Sequence, residues 1–348
     1  MVVPQTDPMA RAMIAGGVDY RPWDGQGLRD DECFLCTRPI PSGSGSVEDV
    51  IPRWLQRGMM PPGHPRPKIE LPNLTPITAD KVKIPACRPC NNEHLSRIEN
   101  TVREAFAAGA EAVAALPEAT MRIWLGKILY GLRRNDMRLR ADRRDRNSPS
   151  LAETGDLEQA ADLHLLLQEA RGVVRTRPGH STIMVFESQA DGCNVCDFDL
   201  AVAIGWPYAV MIRMGAVTVM GAVADGGALG ILNKAAAFAV TAELALHALQ
   251  ARALWALFVY HAAVLRQTSV PVRYAVGDGQ VWVDRVPGGK PEFDHAGAPA
   301  SPDLILQNLI NTSADVLRAH GGPQGLLLLP DGSPRAMPSE HGVRKLGL

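Results

Sequence analysis

The sequence predicts an α+β protein of more than one domain, and three observations carry that prediction. Four apolar runs dense in Val and Ile (Ile183 to Phe186, Leu200 to Ile204, Ala209 to Met214, Val217 to Val223) are punctuated by Gly and Pro, the pattern of a mainly antiparallel sheet. Stretches before and after them repeat apolar residues at helical spacing. Four of the six cysteines stand in two C-x-x-C pairs, Cys33/Cys36 and Cys87/Cys90, inside a segment rich in turn residues. That composition suits a small domain stapled by a metal in place of a large core.

A length of 348 residues suggests two domains. Hydrophobic residues at 46% and charged residues at 21% exclude a disordered chain, a collagen-like repeat and a uniformly basic coat protein. The net charge of −1 conceals a division: residues 1–150 hold 22 basic and 18 acidic side chains, residues 151–348 hold 14 and 19. A weakly basic front is joined to an acidic back.

Residues 1–30, with Pro4, Pro8, Pro22 and Asp24-Gly25-Gln26-Gly27, show no sustained period and read as a loosely ordered lead-in. They contain no continuous apolar stretch of the signal-peptide kind, so the expectation is a cytoplasmic, reducing compartment in which paired cysteines bind metal. Residues 31–100 form the stapled segment. From Leu95 the period turns helical, with Ile98, Val102, Phe106 and Val113 on one face up to Pro117. A second helix carries Ile123, Trp124, Ile128, Leu129 and Leu132, and 101–150 is expected to be a basic helical segment closing at Ser148-Pro149-Ser150.

Residues 151–348 are expected to form one larger α+β domain. A helix over 156–171 precedes the strands, and an Ala/Leu-rich helical region follows from about Lys234 to Leu265. Glu243, His247, Gln250 and Arg252 interrupt that region, marking core helices and no membrane span. Val270 to Tyr274 and Val281 to Val286 flank Gly277-Asp278-Gly279, a hairpin signal. A helix near Pro302 to His320 and a polar tail complete the order.

Two C-x-x-C pairs offer four thiolates, the ligand set of a closed, structural Zn²⁺ site. The third pair, Cys193/Cys196, contributes to a metal site with Asp191, Asp197 or His180, or supplies one half of an intersubunit zinc site, or is two reduced cysteines at a turn; no second pair is left to complete four ligands. Beside the first two pairs stand Val47-Glu48-Asp49-Val50-Ile51-Pro52, then Pro72-Asn73-Leu74, then Asn91-Asn92-Glu93-His94 directly after Cys90. In this order the segment resembles the HNH endonucleases, the zinc-stapled branch of the ββα-metal nucleases, over roughly residues 31–100.

The resemblance implies a zinc-stapled ββα finger and a metal-dependent endonuclease hydrolysing phosphodiester bonds in DNA. Glu48 and Asn91 match the ligands of a catalytic Mg²⁺ or Mn²⁺ ion, a hard cation suited to carboxylate and amide oxygens. Asn73 matches the central Asn that orients the base. Where the family places its His, this chain has Asp49. A carboxylate is the weaker base at neutral pH, which leaves three readings open. Asp49 acts as base or additional metal ligand; another His, with His94 nearest and His64 next, takes the role; or the finger is a catalytically silent nucleic-acid-binding or assembly module.

Nine Lys/Arg between Arg122 and Arg146 read either as phosphate contacts, chiefly Arg133, Arg134, Arg138, Arg140, Arg143 and Arg144, or as a solvated basic helix end. Trp54 is expected to pack beneath the finger. The back half carries no chemical motif; His247 and His261 read as core histidines, and the domain as a sensor, specificity or assembly module, with a homo-oligomer or a partner protein as its company.

Overall fold

The computed structural model describes residues 31–43, 45–58, 68–70, 75–137, 139–149, 154–189, 198–277, 280–285 and 287–337. It is mixed α+β with mostly antiparallel sheets, as expected. The chain divides into two compact units. One comprises the described residues up to Ala107, Leu116–His180 and Val272–Arg285; the other comprises Ala108–Ala115, Ser181–Pro271 and the described residues from Val286. This division differs from the boundary expected near residue 150.

In the first unit, β1 (Gly45–Asp49) leads into the short helix α1 (Arg53–Gly58), and β2 (Lys68–Glu70) pairs with β3 (Pro76–Thr78). β4 (Lys83–Cys87) pairs antiparallel with β1, setting Ser46 opposite Ala86, Glu48 opposite Ile84 and Asp49 opposite Lys83. A wide π-helical turn, Cys90–Leu95, then runs straight into α2 (Ser96–Ala108). After α3 (Ala110–Ala114), which belongs to the second unit, α4 (Glu118–Asp136) forms the spine of the first.

The second helix expected from Ile123, Trp124, Ile128, Leu129 and Leu132 is α4, in which every residue from Met121 to Leu132 is buried. Trp124 stacks on Trp54 at 5.8 Å, and Phe106 packs against both rings at 5.5–5.6 Å. Trp54 thus packs as expected. Gly131 lets the helix approach Val50: a Cβ there would lie 2.7 Å from a Val50 methyl.

α5 (Thr154–Leu167) packs on α4 within the same unit. β5 (Val174–Arg175) explains why the expected hairpin joins this unit. β10 (Val272–Gly277) and β11 (Gln280–Arg285) pair as predicted, and β11 then adds to β5 in parallel, so that Val281 and Val283 bury against Leu165, Val173 and Val174. Arg285 reinforces the seam with a 2.8 Å ion pair to Asp162.

The second unit is built on β6 (Thr182–Glu187), β7 (Phe198–Ala203), β8 (Ala209–Met214) and β9 (Val217–Ala222). These four antiparallel strands stand in the order β6-β9-β8-β7. They coincide with the four apolar runs. The Ala/Leu-rich region expected to form core helices holds α6 (Ala236–Thr241) and α7 (Ala248–Val264), the latter capped by His247, whose Nδ1 accepts from the Leu249 N–H at 3.2 Å. α8 (Pro302–Ile310), α9 (Ala314–Ala319) and α10 (Gly322–Leu327) replace the single helix expected there; Asn311 at φ 49° ends the first. Core residues of α7, including Leu254 and Phe258, pack in one cluster with Met211, Met220 and Leu306.

Candidate functional site

The first knuckle is a tight turn: the Thr37 N–H donates to the Cys33 carbonyl at 2.9 Å, and the Cys33 N–H to the Arg38 carbonyl at 3.0 Å. The Phe34 N–H donates to the Pro85 carbonyl at 2.9 Å and so ties this knuckle to β4. Cys87 ends β4 and Cys90 opens the π-helical turn. The outcome is four sulfurs within 4.8 Å of one another, with Cys36 Sγ and Cys87 Sγ 3.8 Å apart.

A tetrahedral ion with bonds of about 2.3 Å sets its sulfurs about 3.8 Å apart, so this cluster fits zinc. Electrostatics agree. Hydrogen bonds from Cys36 and Cys90 pull the Cys33 thiol down, while the Cys36 thiol is pushed up to about 12, above all by its hydrogen bond with Cys33, and the Cys90 thiol is pushed up by its hydrogen bonds with Cys33 and Cys36. Four crowded thiols cannot share their negative charge without a cation. Among the described residues this is the one place where three or more His, Cys, Asp or Glu ligand atoms meet.

The carboxylates of β1 are arranged differently from a divalent-ion site. Successive strand residues project to opposite sides, and Glu48 points inward, only 5% exposed. There it meets the ammonium of Lys127, itself 1% exposed on α4. Lys127 also contacts the Glu99 carboxylate from α2 and donates to the Asp49 carbonyl at 3.0 Å. An ammonium has three donors, and Glu48, Glu99 and the Asp49 carbonyl provide a partner for each. The two flanking carboxylates hold Lys127 charged against its burial, and burial pushes the Glu48 carboxyl up.

Asp49 pairs with Arg53 Nε at 2.7 Å and more distantly with Lys83 at 3.6 Å. The Asn91 amide donates to Ser46 Oγ at 3.2 Å. Asn91 donates through its amide nitrogen and keeps its oxygen, but Glu48 is paired with Lys127, and a Mg²⁺ or Mn²⁺ ion at Glu48 would have to displace a buried lysine. The residues present do not fit that ion. His94 is half-buried, its basicity reduced first by burial and then by nearby Arg171. Asn73, His64, Arg138, Cys193 and Cys196 lie outside the described residues.

The basic run is also redistributed. Arg134, expected at a phosphate, is 2% exposed, and its Nη2 donates to the Glu32 carbonyl at 3.4 Å. Arg122 is equally buried and pairs with Glu118 at 2.9 Å and Glu169 at 2.5 Å. Arg133 is half-buried, while Arg140, Arg143 and Arg144 are exposed.

Sequence reasoning passed over Lys127 and Glu99. The available signal was a lysine inside Ile123-Trp124-Leu125-Gly126-Lys127-Ile128-Leu129, where a charge in an apolar run needs a buried partner. Comparison with protein-family models, with curated proteins and with solved structures gives no match. Among the described residues no helix is long and apolar enough to cross a membrane.

Proposed function

We propose that the first unit is an HNH-like, zinc-stapled finger that binds nucleic acid, DNA foremost, without hydrolysing it through a divalent ion. The motif order around the two cysteine pairs supports the kinship, as does the succession of β1, β4 and a helix behind a four-sulfur cluster. The observation that carries the loss of metal chemistry is the Lys127 ammonium seated between Glu48 and Glu99, where the resemblance implies a divalent cation. With Asp49 in place of His and held by Arg53, the base is weakened as well.

A plasmid-nicking assay over Mg²⁺ and Mn²⁺ concentrations, paired with a gel shift on the same DNA, tests this. Retarded DNA without metal-dependent nicking is the expected result. Nicking that appears with Mg²⁺ or Mn²⁺ and disappears in Glu48→Ala and Asn91→Ala would overturn it in favour of the second reading, a metal-dependent nuclease, for which the motif order itself speaks.

A further inference from the structure

A cleft of about 220 Å³ opens beside the Glu48–Lys127–Glu99 triad. Two helices wall it. α1 presents Arg53 and Arg57 one turn apart, and α2 presents Asn100 and Arg103, also one turn apart. Glu48, Asp49 and Glu99 also line it.

Acidic residues in the lining would ordinarily repel an anion, but here each has a cation assigned to it. Lys127 holds Glu48 and Glu99 from the buried side, and Arg53 and Lys83 hold Asp49. Arg57 and Arg103 are left over: both are exposed, and neither has an ion pair among the described residues. The lining itself balances three arginines against three carboxylates; Lys83 and Lys127, which pair with those carboxylates from outside the lining, bring the sum to +2 and leave Arg57 and Arg103 unpaired beside an amide donor, Asn100. Guanidinium forks match phosphate oxygens in pairs.

From this geometry we infer that the cleft is a metal-independent phosphodiester clamp, in which Arg57 and Arg103, assisted by Asn100, grip the backbone of a nucleic-acid strand. The inference rests on the nucleic-acid-binding reading and adds its place and chemistry. It also separates the contact from Arg133 to Arg144, where the sequence pointed. Lys127 has a positioning role: shared between Glu48 and Glu99, it offsets half of their negative charge and so lowers the repulsion an anion in the cleft would meet.

The test is fluorescence anisotropy of the zinc-loaded full chain with labelled single-stranded and duplex 20-mers over a salt series, without added Mg²⁺ or Mn²⁺. Inorganic phosphate serves as competitor. Arg57→Gln/Arg103→Gln is expected to weaken binding at least about tenfold. It should also lower the slope of log K against log salt by about two, one for each lost phosphate contact. Arg318→Gln, in the second unit, should leave both unchanged. Circular dichroism and zinc content should match the parent, because Arg57 and Arg103 are exposed.

Unchanged affinity and slope in the double variant, with the parent binding DNA, would overturn the clamp and leave the nucleic-acid reading standing. No binding by the parent at low salt would overturn both. Displacement of DNA by millimolar phosphate with no salt slope would also overturn the clamp, marking a site for the free anion.

Discussion

Removing the Lys127 charge is the sharpest perturbation the first unit offers. In Lys127→Met the aliphatic volume stays, but Glu48, only 5% exposed, loses its main counter-charge, while Glu99 is open enough to rehydrate. Stranding one member of a buried ion pair costs about 3–5 kcal/mol. At about 2–4 °C per kcal/mol for a unit of this size, the melting temperature should fall by roughly 10 °C.

The pH dependence follows. Glu48 has its folded pKa raised by burial, and the loss of Lys127 raises it further. Stability from such a group is fully present below the unfolded value and lost as pH rises through the folded one. The deficit should therefore be smaller at pH 5 than at pH 8. Glu48→Gln/Lys127→Met should regain most of the loss, since a neutral pair of similar volume replaces a buried ion pair at little cost. Urea unfolding of both variants and the parent checks this. A single-variant loss under about 1 kcal/mol, or a double variant no better than the single, refutes the assignment of Lys127 as the resident cation.

Three further outcomes are expected. Zinc content should be one ion per chain, Cys36→Ser should lose it, and chelation should unfold the first unit, since structural zinc contributes folding free energy directly; unchanged near-ultraviolet dichroism after chelation would contradict this. Burial pushes the Asp136 carboxyl up to about 6, so its ionisation works against the fold. Relative to the parent, Asp136→Asn should gain stability as pH rises from about 4 past 6, reaching up to about 3 kcal/mol, and a pH-independent difference would refute it. Gly131→Ala should cost about 1–3 kcal/mol by forcing a methyl into Val50, read as a lower denaturation midpoint.

What the sequence made legible, and what it concealed, follows from how far apart the cooperating residues are. The four strands of the second unit were readable because β-branched runs between Gly and Pro are a local signal, and β6 to β9 pair close to where those runs fall. The cysteine cluster was readable because C-x-x-C spacing is itself the geometry of a knuckle. The parallel addition of β11 to β5 was not, because β5 has only two residues and its partner lies about a hundred positions away. The basic run misled for a related reason: Arg122, Lys127 and Arg134 look like surface cations until the partners that solvate them are brought in from distant segments.

The candidate site joins these two kinds of information, and that explains its character. Glu48, Asp49 and Asn91 are placed by local elements whose sequence order is legible, but the chemistry of Glu48 is decided by Lys127 from the distant helix α4. A divalent ion at Glu48 would make the site's charge depend on metal supply; a lysine fixed in α4 makes it permanent. The residue that lowers the repulsion in the cleft thus also sits between β1, α2 and α4 and holds them together. Substitutions that unlock Glu48 for metal binding should accordingly destabilise the first unit, so gain of metal affinity and loss of stability are expected to travel together in variants that remove the Lys127 charge.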